Sequence, residues 1–267
     1  MSISAAKQYE QSRVAVVTGS SSGIGRATAM RLAADGFSVV LHARQNLAGV
    51  QATASEILDG FGKRSLCLLA DVADWRAQTD LTRAAFAWYG HVDAWVNNAG
   101  ADVLTTEARD WTFDEKLQRL LATDLLGTVG LSREVAARMS RQPGSQQPAA
   151  AKPTIINIGW DQALLGMSGD SGQLFCTTKA AVMAFTNSLA MTVAPHVRVN
   201  CVAPGWIKTA WGNASSDYWD NRARDESLLA RWGTAEDVAN TIGWLASPAA
   251  EFVNGQCINV NGGRRLE

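Results

Sequence analysis

The stretch Thr18-Gly19-Ser20-Ser21-Ser22-Gly23-Ile24-Gly25 follows an apolar run, Val14–Val17, that is typical of a buried parallel strand. An amphipathic stretch at residues 26–35 comes next and predicts a helix. Small residues in such a turn let the backbone approach a dinucleotide pyrophosphate, and the helix N terminus offers free N–H groups and a positive dipole end. The sequence favours a nucleotide-binding turn here, and a tight β–α turn without a ligand is the alternative.

Bulk composition narrows the function classes. The chain has 267 residues, 47% of them hydrophobic, which predicts one domain spanning residues 1–267. Its net charge of −1 comes from 24 basic and 25 acidic residues, with no basic stripe, so we expect no nucleic-acid partner. No apolar run has the length of a membrane span, and residues 1–13 lack the apolar region of a signal peptide. We therefore expect a cytoplasmic protein.

The cysteines predict neither a metal site nor a disulfide framework. The four of them are scattered within apolar stretches and lack metal-ligand spacing: Cys67, Cys176, Cys201 and Cys257. We interpret them as buried, reduced thiols.

Strand and helix patterns alternate along the whole chain. Further strands are predicted at residues 37–41, 65–70, 92–96, 154–158, 197–202 and 257–260. Further helices are predicted at residues 46–60, 76–89, 112–141, 173–193 and 234–245, and a proline-rich exposed and mobile loop at 142–153. This alternation predicts an α/β fold, a single-domain Rossmann fold whose doubly wound parallel sheet has helices on both faces.

Two further stretches bear on ligands. The segment His42-Ala43-Arg44-Gln45 follows the second strand, where an acid selects NAD and a basic residue accommodates the 2′-phosphate of NADP. It has no acid, so Arg44 favours NADP (NADPH), and a solvated loop charge is the alternative. Residues 210–231 are polar and rich in tryptophan, which predicts a mobile substrate lid within residues 203–233.

The whole chain resembles the short-chain dehydrogenase/reductase family. The matching motifs, in family order, are residues 18–25, Asp71-Val72, residues 97–100, Lys179, Pro204-Gly205 and Gly262-Gly263. This resemblance implies a small-molecule substrate and a homo-oligomer, a dimer or tetramer formed through the two long helices. It also implies the cofactor-binding residues, which are Gly19, Ser21, Ser22, Gly23, Ile24, Gly25, Arg44, Asp71, Val72, Asn98, Ala99, Gly100, Lys179, Pro204, Gly205, Ile207 and Thr209.

The family resemblance assigns different residues to different parts of the cofactor. Asp71 and Val72 would hold the adenine, and residues 98–100 would run along the adenosine ribose. Lys179 would bridge the hydroxyls of the nicotinamide ribose, and residues 204–209 would contact the nicotinamide end.

The catalytic positions depart from the family pattern. The usual set is Asn, Ser, Tyr and Lys, with the Tyr four residues before the Lys, and Phe175 occupies that position before Lys179. Gly159-Trp160-Asp161 stands where the Ser is expected, and Asp124 stands for the Asn. Pteridine reductases of this family use an Asp in place of the Ser, which makes Asp161 similar to theirs, although those enzymes keep the Tyr.

Loss of a positioned general acid costs about 10²–10⁴ in rate. One interpretation is an active NADPH-dependent reductase of a C=O or C=N compound, such as a pterin-like one, with Asp161, Asp124 or water as proton source. The alternative is a degenerate module that binds NADP and a partner or metabolite. Each Asp could also be an ordinary solvated or helix-capping carboxylate. The sequence favours the reductase, with Lys179, Asp161, Asp124 and Phe175 as the catalytic candidates.

Overall fold

The computed structural model describes residues 13–142, 152–209 and 217–265. Two sequence predictions fall partly on other residues. Residues 143–151 of the predicted loop and residues 210–216 of the predicted lid lie outside the described part of the chain.

Among these residues, seven parallel strands form one sheet in the order β3-β2-β1-β4-β5-β6-β7. Their bounds are β1 Val14–Val17, β2 Ser38–Ala43, β3 Ser65–Leu69, β4 Ala94–Asn97, β5 Thr154–Ile158, β6 Arg198–Pro204 and β7 Cys257–Val260. The strand order reverses between β1 and β4, so the loops after these two strands diverge and leave a crevice at their carboxyl ends. The glycine-rich turn and Asn98 both open onto this crevice.

In the described parts of the chain, eight α-helices connect or flank the strands. They are α1 Gly23–Ala34, α2 Leu47–Phe61, α3 Trp75–Tyr89, α4 Phe113–Leu120, α5 Gly127–Met139, α6 Asp170–Val193, α7 Asp217–Glu226 and α8 Ala235–Leu245. Short 3₁₀ turns lie at Thr106–Asp110 and Pro248–Ala250. None of the helices in the described ranges is both long and apolar enough to span a membrane.

The core consists of two layers, one on each face of the sheet. On one face Leu32 of α1 and Ile242 of α8 pack against strand residues such as Val39. On the other face Leu131 of α5 and Leu189 of α6 do the same. Every residue of β1 is buried because helices cover both of its faces, and this explains its uninterrupted apolar sequence. The predicted doubly wound fold is confirmed.

Two segments differ from their predictions. The helix expected at 112–141 begins with a capping box at Thr112 and Glu115, but a π-helical turn, Leu121–Leu126, separates α4 from α5. The predicted lid contains a regular helix, α7, which the polar composition concealed. Ion pairs four residues apart, Asp220 with Arg224 and Arg222 with Glu226, stabilise that helix without a continuous apolar stripe.

Candidate cofactor and substrate site

The glycine-rich turn is packed too tightly for side chains. Gly19 has φ +66°, and a Cβ there would lie 2.9 Å from the Cα of Ala99. A Cβ on Gly25 would lie 2.1 Å from the carbonyl oxygen of Gly19. At the start of α1, Ser22 and Gly23 are exposed, and no side chain caps the helix. The N terminus of α1 is thus open to an anionic group such as a phosphate.

His42 supports this turn, a role that sequence reasoning missed. Its Nδ1 accepts a hydrogen bond from the Gly19 N–H at 3.2 Å, and its Nε2 lies 3.0 Å from the carbonyl oxygen of Ala70. These partners require a neutral ring with the proton on Nε2. Burial lowers the pKa of His42, which favours the same neutral form. A histidine inside an otherwise apolar strand was the available signal.

The loop after β4 forms hydrogen bonds to the glycine-rich turn. Asn98 donates from its amide to the carbonyl oxygens of Thr18 and Gly19, at 2.9 and 3.1 Å. The Thr18 hydroxyl accepts from the backbone N–H groups of Asn98 and Ala99, both at 2.9 Å. These bonds fix the two loops of the crevice relative to each other. The predicted contacts of residues 98–100 with a ribose stay a prediction.

Arg44 and Asp71 occupy the far end of the crevice, where the adenosine end of a dinucleotide was predicted. Arg44 directly follows β2, is exposed, and forms no ion pair with any described residue. Asp71 accepts from the backbone N–H of Ala73 at 2.9 Å and lies 3.7 Å from the Arg119 guanidinium. Val72 is buried. This placement is compatible with the predicted roles, which stay predictions.

Lys179 and Asp124 form a buried ion pair. The Lys179 Nζ lies 2.9 Å from Oδ2 of Asp124, and the two side chains are only 13% and 3% exposed. The same Nζ donates to the carbonyl oxygen of Ile158 at 3.3 Å. An ammonium has three N–H donors, so these two contacts leave one for a further acceptor.

The π-helical turn places Asp124 in this position. Its Oδ1 accepts from the backbone N–H of Ala101 at 2.8 Å, so the carboxylate bridges Lys179 and the loop after β4. A Cβ on Gly100 would lie 3.0 Å from Oδ2 of Asp124, which shows how closely that loop approaches. Such π-helical turns occur frequently at functional sites.

A cavity of about 290 Å³ lies at the carboxyl edge of the sheet, beside this ion pair. Seven of the predicted site residues line it: Ile24, Phe175, Lys179, Pro204, Gly205, Ile207 and Thr209. The other side chains that line it are mostly apolar or aromatic: Leu104, Ile158, Trp160, Met167, Ser171, Trp206 and Trp219. Trp206 and Trp219 belong to the predicted lid segment at residues 203–233.

The Lys179 ammonium is the one ionisable group among the described residues that line the cavity. Among the described lining residues, none carries a carboxyl, phenol, imidazole or thiol group. Residues 210–216 contain no such side chain in the sequence either. Phe175 instead meets Trp160 edge to face, with ring centroids 6.1 Å apart. An aromatic wall therefore occupies the region where the family resemblance implies a tyrosine and a serine.

Asp161 is placed apart from this wall. Its neighbour Trp160 lines the cavity, whereas Oδ2 of Asp161 accepts a hydrogen bond from the Asn261 amide at 3.0 Å. Burial raises the pKa of Asp161, and the Asn261 bond and the charge of Arg264 partly oppose that rise. These contacts join the loop after β5 to the C-terminal loop, and the predicted catalytic role of Asp161 stays a prediction.

Helix α7 brings aromatic side chains over the cavity. Glu226 accepts from the Trp206 indole N–H at 2.8 Å and from Nε of Arg222 at 2.6 Å. The Arg222 guanidinium lies 5.4 Å from the centroid of the Trp219 ring. These contacts attach α7 to the loop after β6, and Trp206 and Trp219 of this segment line the cavity. The predicted lid function of the segment stays a prediction.

Comparisons with known proteins agree with this architecture. Residues 19–265 match the sequence model of the family described as Enoyl-(Acyl carrier protein) reductase. The chain is 33% identical over 256 residues to 3-oxoacyl-[acyl-carrier-protein] reductase FabG of Staphylococcus epidermidis, covering 93% of this chain and 97% of that relative. It is 34% identical to the 3-oxoacyl-[acyl-carrier-protein] reductase of Synechocystis over 262 residues, covering 94% and 96%.

A solved structure extends the likeness to three dimensions. A short-chain dehydrogenase from Burkholderia cenocepacia in complex with NADP superposes with a TM-score of 0.81 at 29% identity, covering 96% of this chain and 98% of that chain. The motifs, the strand order and these relatives lead to one conclusion: the chain belongs to the short-chain dehydrogenase/reductase family of oxidoreductases.

Proposed function

We propose that this protein is an NADPH-dependent reductase that acts on a C=N or C=O group of a small molecule, without a tyrosine acid. The observation that carries the proposal is the buried Lys179–Asp124 pair beside an aromatic cavity that lacks an acidic side chain. The motifs that the family resemblance assigns to cofactor binding are present in the sequence, and the departures fall at the positions that it assigns to proton donation.

The residues present fit a nicotinamide dinucleotide. Gly19 and Gly25 let the turn pack directly against itself and against residues 98 and 99, because a Cβ at either position would clash there. This close packing supports the kind of tight turn that a pyrophosphate requires. Arg44 is an exposed cation without a described partner, in the position that suits a 2′-phosphate. Lys179 keeps one N–H donor for a ribose hydroxyl. When bound, NADPH would supply a hydride to the acceptor.

The lining favours an acceptor that needs no strong acid. Hydride addition to a neutral ketone produces an alkoxide, which requires a proton. Hydride addition to an iminium cation moves the C=N electron pair onto nitrogen and yields a neutral amine, with no proton required. Indole rings such as that of Trp160 also attract cations. We therefore favour a C=N compound, and a protonated pterin-like ring is one member of that class.

Under this proposal, the side chains around the cavity bind and orient the acceptor rather than donate a proton to it. The ion pair of Lys179 and Asp124 presents no net charge to a cationic acceptor. The indoles of Trp160, Trp206 and Trp219 exclude water and orient a planar group. We assign Asp161 to support of the C-terminal loop rather than to proton transfer, because its bonded oxygen faces Asn261.

The relatives suggest a different acceptor, because the names of the Staphylococcus and Synechocystis proteins specify a 3-oxoacyl group. That group is a ketone, and Phe175 has no proton to give the resulting alkoxide. A second candidate function, an NADP-binding module without turnover, is favoured by the same phenylalanine.

Turnover of three test compounds with the same carbon skeleton distinguishes these functions: an N-methyl iminium salt, the neutral imine and the ketone. We expect NADPH consumption with the iminium salt at a rate independent of pH, slower turnover of the imine and little with the ketone. NADPH binding without any turnover would identify the binding module. Rapid ketone turnover would contradict the assignment of an acid-independent site.

A further inference from the structure

Two of the four cysteines lie side by side in the sheet. The register of β6 and β7 pairs Cys201 directly with Cys257. Neighbouring strands are about 4.7–4.9 Å apart, within the Cα separation of about 4.4–6.8 Å that a disulfide tolerates. Cys257 packs against the small cluster that contains Cys201, and the Cys201 thiol donates to the backbone carbonyl of Val202 at 3.7 Å. Cys67 and Cys176 lie elsewhere in the fold and donate to the backbone carbonyls of Val50 and Gln162.

This pair lies directly beneath the cavity. Cys201 is fully buried in a small cluster with Met183, whereas Cys257 is partly exposed. Gly159 lines the cavity, and a Cβ on it would lie 2.8 Å from the Cys201 sulfur. Gly159, which forms part of the cavity floor, therefore packs directly against this sulfur atom. Movement of the Cys201 side chain has to displace Gly159 or the chain next to it.

The two thiols are not equivalent. The neighbouring Cys257 thiol and burial raise the pKa of Cys201. The neighbouring Cys201 thiol lowers the pKa of Cys257. Cys257 is therefore both the more accessible thiol and the one that ionises more readily, which are the properties of an attacking thiolate.

We propose that Cys257 and Cys201 form an oxidisable dithiol, which a hydroperoxide converts to a disulfide, and that this bond shifts the cavity floor at Gly159. This inference is independent of the proposed reductase function. It concerns a covalent modification site that the family motifs do not include.

The chemistry balances with the peroxide as the two-electron oxidant. The Cys257 thiolate attacks one peroxide oxygen, the O–O bond breaks, and hydroxide or alkoxide leaves, giving a sulfenic acid. The Cys201 sulfur then attacks the sulfenic sulfur, the S–S bond forms and the S–O bond breaks. Water leaves with the Cys201 proton. The two thiols lose two electrons, and the peroxide is reduced to water or to an alcohol and water.

The first test uses the reduced full-length protein and limiting hydrogen peroxide, followed by alkylation and peptide mapping by mass spectrometry. We expect a linked Cys201–Cys257 peptide, restored to two free thiols by dithiothreitol, while Cys67 and Cys176 remain alkylatable. Stable over-oxidation of Cys257 without a linked peptide, or oxidation of Cys67 and Cys176 at the same rate, would overturn the proposal.

The second test asks whether the cavity floor responds. Hydrogen–deuterium exchange of the peptide that contains Gly159 should change by about threefold or more on oxidation, because local opening depends on the packing beneath it. Cys257→Ala should abolish the change, and Cys176→Ser should preserve it. Melting temperatures confirm that each variant is folded, and Cys201→Ala serves as a second test if the β7 variant unfolds. Identical exchange in the linked and reduced proteins would refute the effect on the cavity.

Discussion

The carboxylate of Asp124 lies 2.9 Å from the ammonium of Lys179, and both are buried beside the cavity. A lysine in this position normally offers its positive charge to a neighbouring phenol, but here a full negative charge neutralises it and Phe175 replaces the phenol. The two replacements are therefore consistent with each other. Under the proposed function, they would together leave a neutral, aromatic site in place of a proton-donating one.

Breaking this pair from one side should destabilise the fold. Lys179→Met leaves Asp124 buried without a cation, for which we expect a loss of about 3–5 kcal/mol in the free energy of unfolding. It should also weaken NADPH binding about tenfold, because a charged hydrogen bond to a ribose hydroxyl is lost. Urea denaturation and a titration of tryptophan fluorescence with NADPH measure the two effects.

The double variant Asp124→Asn/Lys179→Met separates stability from binding. Removing both charges should restore most of the unfolding free energy, while NADPH affinity stays low. Recovery of affinity together with stability would show that Lys179 acts only through the fold.

Arg44 should determine the choice between the two nicotinamide dinucleotides. Arg44→Asp places a negative charge opposite the 2′-phosphate and should weaken NADPH binding about 10–100-fold, the worth of a charged hydrogen bond. NADH binding should change little. Arg133→Asp, an exposed substitution on α5, is the matched control. Equal affinities of the native protein for NADPH and NADH would refute the assignment.

His42 should make the glycine-rich turn sensitive to acid. Its pKa is lowered by burial, so the unfolded chain takes up a proton first as the pH falls. The stabilisation is complete above the ordinary value of 6.5 and is lost as the pH falls from there towards the lowered value. Protonation of Nδ1 would also break the hydrogen bond from the Gly19 N–H, because a protonated nitrogen cannot accept it.

Between about pH 7.5 and pH 5.5, both the unfolding free energy and NADPH affinity of the native protein should decrease. His42→Gln should reduce this pH dependence, and His196→Gln, at a histidine outside the turn, should leave it unchanged. A native pH profile that matches that of His42→Gln would show that the ring does not titrate in this range.

Sequence patterns predicted the fold because each local signal agreed with the next. The apolar β1, the glycine-rich turn and the helix after it can be identified without knowledge of distant residues. The remaining features depend on three-dimensional neighbours. Trp160 rather than Asp161 faces the cavity because of the direction in which the chain leaves β5. Cys201 and Cys257 meet only because β6 and β7 are adjacent, and strand order is not a local property.

The substitution Phe175→Tyr tests whether a restored phenol can donate a proton in this site. The substitution adds one hydroxyl at the cavity wall, on the helix face that also carries Lys179. A nearby ammonium lowers the pKa of a phenol, but Asp124 cancels much of that charge here. We expect ketone reduction to rise about tenfold, well below the 10²–10⁴ of a complete general acid, because residues of a catalytic set act as a unit. Adding Asp124→Asn to Phe175→Tyr should raise it further.

The iminium substrate and a surface substitution provide the controls for this prediction. Turnover of the N-methyl iminium salt should not increase in Phe175→Tyr, because that reaction needs no proton. Phe252→Tyr, at a fully exposed phenylalanine, should change neither rate. The measurement is NADPH consumption with matched ketone and iminium substrates across pH. An equal gain for both substrates would mean that the new hydroxyl acts on binding or packing rather than as an acid. If the native protein already reduced the ketone as fast as the tyrosine variant does, the proposal of an acid-free site would be contradicted.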